Sequence, residues 1–244
     1  MVGIPTENVV GFGERLNKRF RDELGRRFRI LCLSRTSSSV LMWGHYTDSY
    51  SGVVIGIDTD HPAFPQGLKP GGFDIQYYPE RTRPKLPLAF YQSPPVELCD
   101  LRDRIINPPD ELVESDGGLQ IPFKEYRRRV EESMIIALTT KAKDWNYEQE
   151  VRLIFELPGH QGQLVPSNGL TLVPIPPEAL REIIVGFRAD VRQVRELVQL
   201  YRNGNLGKPK LFYSTCHPSR FEVQAVEADD NYLLAYFETV IPSQ

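Results

Sequence analysis

Apolar residues occupy every second position of the segment 151–157. This period-2 pattern predicts a strand with one buried face. Because side chains along a strand point alternately to opposite sides, Glu148, Glu150 and Arg152 are expected to share the other face as a charged row. The sequence WNYEQEVR, at residues 145–152, therefore predicts a candidate site where this strand begins.

Apolar residues at spacings of three and four predict four amphipathic helices. The predicted helices cover residues 14–24, 40–46, 123–143 and 191–202. The polar cluster 36–39 is expected to cap the second helix, which must stop before Gly52. Asp190 is expected to cap the fourth helix, and Gly204 lies just past the end of that helix.

Short apolar runs between these helices predict further strands. They lie at residues 28–33, 52–58, 73–78, 164–165, 170–174, 183–187, 211–215 and 220–226. The run 52–58 has the near-continuous apolar pattern of a buried strand. Helices and strands in this order indicate an α+β fold with a mixed, largely antiparallel sheet and packed helices.

The pattern also predicts how the chain is organised. An N-terminal basic helix is expected over residues 1–27, a single α+β domain over 28–226 and a tail over 227–244. Pro and Gly are dense at about residues 60–122, within the domain. Such a segment is typical of an inserted lid, a binding loop or disorder.

Composition limits the classes of protein to which the chain can belong. The 244 residues carry a formal net charge of -3, which argues against a protein devoted to coating nucleic acid. Three cysteines without a CxxC pair suggest neither a disulfide framework nor a zinc site, so a cytoplasmic location is expected and no metal. No apolar run approaches the length of a membrane span, so no membrane partner is expected.

A basic segment at residues 14–29 supports one hypothesis of function. It includes Arg26, Arg27 and Arg29 beside a predicted helix. A phosphate-binding surface is one interpretation, and it would make the chain a non-catalytic nucleic-acid or partner-binding module. A solvated helix face is the other interpretation, because surface helices commonly carry such charges.

The carboxylates of Glu148 and Glu150, beside Arg152, support another hypothesis. They allow four interpretations: a general acid and base pair, a metal-binding pair, a clamp for sugar hydroxyls, or a surface salt-bridge ladder. Trp145 and Tyr147 precede them, and an aromatic wall beside carboxylate acceptors suits a ribose with an attached ring. A carboxylate there would stabilise the oxocarbenium-like state of N-glycosidic bond cleavage.

Several motifs recur in a fixed order, with LCLS at residues 31–34, MWGHY at 42–46, GVVIGID at 52–58 and WNYEQEVR at 145–152. Over about residues 28–226 the combination resembles a bacterial family of domains of unknown function. That family is in turn similar to ADP-ribosyltransferases, including DNA-modifying toxins of toxin–antitoxin and phage-defence systems. Its members usually begin with a further strand and helix, which bear a His-Tyr-Thr-like element and an Asn-Asp-Pro motif and are expected to be absent here.

The resemblance implies an enzyme of the glycosyltransferase class, an ADP-ribosyltransferase-like fold and NAD as co-substrate. By that resemblance Glu150 would be the catalytic residue that holds the ribose 2'-hydroxyl of NAD. Glu148 would orient or deprotonate the acceptor. The implied acceptor is nucleic acid or protein, and an antitoxin or immunity protein is an implied partner.

The same resemblance implies a set of co-substrate-binding residues. They are Ser34, Arg35, Trp43, Tyr46, Tyr147 and Arg152. Tyr46 would line the nicotinamide pocket. Arg35 and Arg152 would pair either with the pyrophosphate or with Glu150, and the sequence leaves both roles open.

Overall fold

A computed structural model of the chain describes residues 24–80, 112–114, 120–157 and 159–240, together with 18, 21 and 22. These residues form both helices and sheets, and the predicted α+β class is confirmed. The chain divides into two compact units, one of residues 1–27 with 76–143 and one of residues 28–75 with 144–244. The segment 76–143 thus separates from the rest of the region that was predicted to be a single domain.

Thirteen strands are present among the described residues. They are β1 (Phe28–Ser34), β2 (Val53–Ile57), β3 (Phe73–Asp74), β4 (Gln76–Tyr78), β5 (Leu112–Glu114), β6 (Gln120–Pro122), β7 (Thr140–Ala142), β8 (Glu150–Glu156), β9 (Val165–Ser167), β10 (Leu170–Leu172), β11 (Leu180–Val185), β12 (Lys210–Cys216) and β13 (Val223–Ala228). The α-helices whose bounds the structure describes are α1 (Val40–Tyr46), α2 (Phe123–Leu138), α3 (Val191–Arg202) and α4 (Asp230–Val240). A 3-10 helix, Lys143–Glu148, directly precedes β8.

The strand predicted from alternation is the centre of an antiparallel sheet with the order β1-β8-β3. Leu153 and Phe155 point to one side, where they join a core cluster and are fully buried. Ile154 was expected on the polar face, yet it is equally buried. A strand that lies between two other strands can be covered on both faces, so the prediction of a single buried face was wrong for β8.

A second sheet has the order β13-β12-β11-β2, with β11 parallel to β12 and the other pairs antiparallel. Helices α3 and α4 contribute Val198, Leu233 and Phe237 to its core. Leu233 and Phe237 are fully buried. Residues 230–240, which were predicted to belong to a tail, are therefore a core helix.

The prediction that residues 52–58 form a buried strand is wrong in one respect. Strand β2 lies at the edge of the second sheet, and its residues Val53 and Ile55 are exposed. Because β1 belongs to the other sheet, β1, α1 and β2 do not form one β-α-β unit. Ser39 caps α1 as the polar cluster predicted, since its hydroxyl accepts from the Met42 amide at 3.3 Å.

The other unit contains α2, the hairpin of β5 with β6, and the parallel pair of β4 with β7. Helix α2 ends at Leu138 rather than at Lys143, because the next residues form β7. Within the predicted insertion at 60–122, residues 60–80, 112–114 and 120–122 are described, and the remainder lies outside the described residues. No helix in the part of the chain that the structure describes is long and apolar enough to cross a membrane.

Candidate functional site

The turn that leads into β8 differs from the predicted charged row. Glu148 is the last residue of the 3-10 helix, and Glu150 is the first residue of the strand. Between them, Gln149 has a φ of +43°, in the left-handed region. The alternation that would place both carboxylates on one strand face therefore does not extend back to Glu148.

Both carboxylates are buried, with exposed fractions of 3% for Glu148 and 6% for Glu150. A surface salt-bridge ladder requires exposed side chains, so that interpretation of the sequence is wrong. Buried carboxylates are retained in proteins only with partners, and a functional site is a common reason for burying them.

Two residues from distant parts of the chain contact Glu148. The phenol of Tyr46, at the end of α1, donates to Glu148 Oε1 at 2.8 Å. The hydroxyl of Ser34, at the end of β1, donates to the Glu148 carbonyl oxygen at 2.7 Å. Tyr46 is otherwise largely exposed.

Glu150 forms a two-point ion pair with Arg152, two residues along the same strand face. The separations are 2.7 Å from Nε to Oε1 and 3.1 Å from Nη2 to Oε2. Desolvation lowers the pKa of Arg152, but the hydrogen bond and the charge of Glu150 outweigh it and hold that pKa above its ordinary value. Of the two roles left open for Arg152, the structure therefore provides the contact with Glu150.

Arg35 makes a different contact. Its Nε lies 3.1 Å from Asp74 Oδ1, and both side chains are more than half exposed. The Arg35 backbone amide donates to the Gln149 carbonyl at 3.0 Å, which places this residue beside the turn. Arg35 therefore lies near the carboxylates and pairs with Asp74, a residue that the sequence analysis did not single out.

Cys32 is a second neighbour that the sequence analysis missed. It pairs with Arg152 in the register of β1 and β8, and its thiol lies within hydrogen-bonding reach of Glu150. The residue as a whole is exposed, but partial burial of its thiol, followed by the hydrogen bond and negative charge of Glu150, raises the pKa of the thiol from 9.0 to about 11. The thiol is thus protonated at neutral pH and is not an activated nucleophile. Only the strand register could have revealed it.

Aromatic rings continue from Tyr46 along the surface. His45 lies between Tyr46 and Tyr147, with ring centroids 6.4 Å and 6.2 Å away, and Trp145 lies 6.0 Å beyond Tyr147. Trp145 is 40% exposed. The rings that the sequence placed beside the carboxylates are therefore in mutual contact.

Trp43 lies elsewhere, although the resemblance assigned it to the co-substrate. It is 1% exposed and packs in a core cluster with Ile184 and Val223. Its indole N–H donates to the Ser37 carbonyl at 2.7 Å. The side chain is therefore a core anchor for α1, and burial leaves it no surface for a ligand.

The basic segment, as far as it is described, is partly engaged by the protein itself. Arg27 is mostly buried and lies 3.6 Å from Glu131. Arg29 donates to Thr171 Oγ1 at 3.1 Å and to the Phe28 carbonyl at 2.9 Å. These contacts reduce the charge available for a phosphate surface.

The structure thus brings together Ser34, Tyr46, Glu148, Glu150 and Arg152, with Arg35 adjacent and Trp43 elsewhere. Among the described residues, no group of three His, Cys, Asp or Glu side chains is placed to hold a metal ion. Comparison of the chain with protein-family models, with curated proteins and with solved structures gave no match. The family resemblance therefore rests on the motifs alone and stays a prediction.

Proposed function

We propose that this chain is an NAD-dependent ADP-ribosyltransferase-like enzyme that transfers ADP-ribose to nucleic acid or protein. The observation that carries the proposal is the pair of buried carboxylates on either side of Gln149, one bound by a phenol and the other by a guanidinium. Two carboxylates in different environments can take two different roles in one reaction.

Glu150 suits the role of stabilising the transition state. Its carboxylate forms a charge-assisted contact with the guanidinium of Arg152. In the proposed complex the Glu150 oxygens, which accept from the Arg152 guanidinium, would also accept from ribose hydroxyls. As the bond from ribose C1' to nicotinamide breaks, nicotinamide leaves with the electron pair, and the negative charge of Glu150 stabilises the positive ribosyl group.

Glu148 suits the role of accepting a proton from the acceptor. Its carboxylate accepts a hydrogen bond from the phenol of Tyr46, and in the proposed reaction it would also accept from an incoming hydroxyl or amine. When the acceptor atom bonds to ribose C1', its proton would pass to Glu148.

The surrounding side chains fit the remaining parts of NAD. Tyr46 and Tyr147 offer ring surface for nicotinamide, and Arg35 offers a guanidinium for the pyrophosphate. Exchange of Asp74 for a phosphate oxygen on Arg35 would cost little, because an exposed ion pair contributes only about 0–1 kcal/mol.

The test is incubation of the purified protein with NAD that carries a label in nicotinamide or in adenine. Release of labelled nicotinamide is expected, together with transfer of the adenine label to nucleic acid or protein. Glu150→Gln should lower both by at least about a hundredfold, because one preorganised charge at the transition state is commonly worth that much. The matched control is Glu196→Gln on the exposed face of α3, which should leave both unchanged.

The biological setting is tested in the same variants. An effector of bacterial conflict or phage defence should slow the growth of cells that express it, and Glu150→Gln should relieve that effect. An antitoxin or immunity partner should suppress it as well. If the wild-type protein neither releases nicotinamide nor transfers label, the proposal fails.

A further inference from the structure

Gln149 adopts a backbone conformation that few residues other than glycine adopt. Its φ of +43° lies in the left-handed region, where a side chain with a Cβ is strained. Such residues persist only when the surrounding structure holds them in place, and they cluster at functional sites. Here the strained residue lies between the two buried carboxylates.

The consequence of this conformation is the separation of Glu148 from Glu150. In a continuous strand the two side chains would point to the same side and repel each other. With Gln149 left-handed, Glu148 instead meets the phenol of Tyr46, and Glu150 meets Arg152. Each carboxylate thereby acquires its own donor.

Backbone contacts hold the left-handed residue on both sides. The Gln149 amide donates to the Asn146 carbonyl at 3.1 Å, and its carbonyl accepts from the Arg35 amide at 3.0 Å. The hydroxyl of Ser34 fixes the preceding carbonyl, that of Glu148. The end of β1 therefore contacts the turn at two successive peptide units.

We propose that Gln149 is a positioning residue whose left-handed backbone, not its side chain, directs Glu148 and Glu150 to separate partners. The placement of the two carboxylates does not depend on the proposed function. The effect of that geometry on catalysis rests on the proposed function.

The pKa of the Cys32 thiol serves as a probe for the position of Glu150, and its measurement needs no substrate. The groups that shift its pKa are Glu150, which raises it, and Arg152, which lowers it, after the larger effect of burial. The measurement is the rate of alkylation of the Cys32 peptide by iodoacetamide as a function of pH, followed by mass spectrometry. In the wild-type protein the rate should rise with an apparent pKa of about 11.

Three substitutions of Gln149 distinguish the effect of its backbone conformation from the effect of its side chain. Gln149→Gly removes the side chain and its strain, and Gln149→Ala removes the side chain beyond Cβ at the same backbone cost as glutamine, so the Cys32 profile should stay as in the wild-type protein in both variants. Gln149→Val opposes it, because β-branched residues are outliers at positive φ. Valine should move Glu150 and raise the alkylation rate at pH 9 by at least about threefold.

Asn168→Val is the matched control. Asn168 has a φ of +47° in the turn between β9 and β10, so valine meets the same backbone penalty there. This variant should leave the Cys32 profile unchanged. If Gln149→Val does not fold, the glycine and alanine variants still decide, because an altered profile in either one assigns the effect to the side chain and overturns the proposal. An unchanged profile in folded Gln149→Val overturns it as well.

NAD turnover provides the second measurement. Glycine should preserve kcat, and valine should lower it by about tenfold or more, because small displacements of a catalytic group cost that much. If the wild-type protein does not cleave NAD, the proposed function fails, whereas the Cys32 titration still tests the positioning role.

Discussion

Helix α3 and the turn at Gln149 differ in how far apart in sequence their determining contacts lie. The cap of α3 joins Asp190 to the Arg192 amide at 2.7 Å, two residues away. The contacts that define the turn join Tyr46 and Ser34 to Glu148, across 102 and 114 positions. Local signals are therefore sufficient for the helix, whereas the turn depends on the pairing of β1 with β8 and on the placement of α1.

The two regions also differ in their ion pairs. Arg195 on α3 pairs with Glu238 on α4, and both side chains are largely exposed. Arg152 pairs with Glu150, and both are largely buried. An exposed pair adds little to stability, but removal of one partner from a buried pair leaves an uncompensated charge.

The largest expected effect follows from that difference. Arg152→Ala should lower the free energy of unfolding by about 3–5 kcal/mol, because Glu150 stays buried without its guanidinium. Arg195→Ala should change it by less than about 1 kcal/mol. Urea unfolding measures both values. The double variant Glu150→Gln/Arg152→Met should recover part of the loss, and an equal effect of the two single substitutions would contradict the comparison.

The second-largest effect is expected in the dependence of stability on pH. The pKa of Cys32 is about 11 in the folded protein and 9.0 ordinarily, so the folded state retains the proton more strongly. That contribution to stability is fully present below pH 9 and is lost as the pH rises through 11. Relative to Cys32→Ala, the wild-type protein should therefore lose stability between pH 9 and 11.

Glu150→Gln sharpens the pH experiment. Because the negative charge and hydrogen bond of Glu150 raise the pKa of Cys32, the glutamine variant should lower that pKa. Alkylation of the Cys32 peptide should then reach half of its maximal rate at a lower pH than in the wild-type protein. An unchanged alkylation profile would place Glu150 away from the thiol.

A smaller effect is expected at the cap of α3. Asp190→Ala should lower the free energy of unfolding by about 1 kcal/mol, because the amide of Arg192 loses its acceptor. Asp190→Ser keeps a capping oxygen and should lose less. NAD turnover should be the same in both variants, and a change in turnover would mean that the two regions are not independent.

The smallest effect is expected at the exposed pair of Arg35 with Asp74. Asp74→Asn should release the guanidinium and lower the KM for NAD about two- to threefold with kcat unchanged, because the pair is weak. Arg35→Met should raise the KM. Steady-state kinetics measure both, and a KM that is the same in all three proteins would remove Arg35 from the binding surface.

The sequence by itself determined the elements whose signals are local. Alternation placed β8, spacing and a cap placed α3 at its observed bounds, and Asn168 with Gly169 supplied the two positive φ values of the hairpin turn between β9 and β10. It also singled out most of the residues that meet at the candidate site, because charged and aromatic side chains are concentrated in WNYEQEVR.

Only the tertiary structure decided which of those residues are buried and which partners they contact. Trp43 is buried, whereas Tyr46 and Trp145 are exposed. The sequence did not distinguish them, because all three are aromatic residues close to the predicted site. Strand register brought Cys32 to Arg152, and Asp74 contacts Arg35 across 39 positions. The left-handed backbone of Gln149 is held by contacts with the end of β1, and no local pattern contains them. Periodicity reports which face of an element is apolar, whereas the partner on each face depends on packing between segments far apart in the chain.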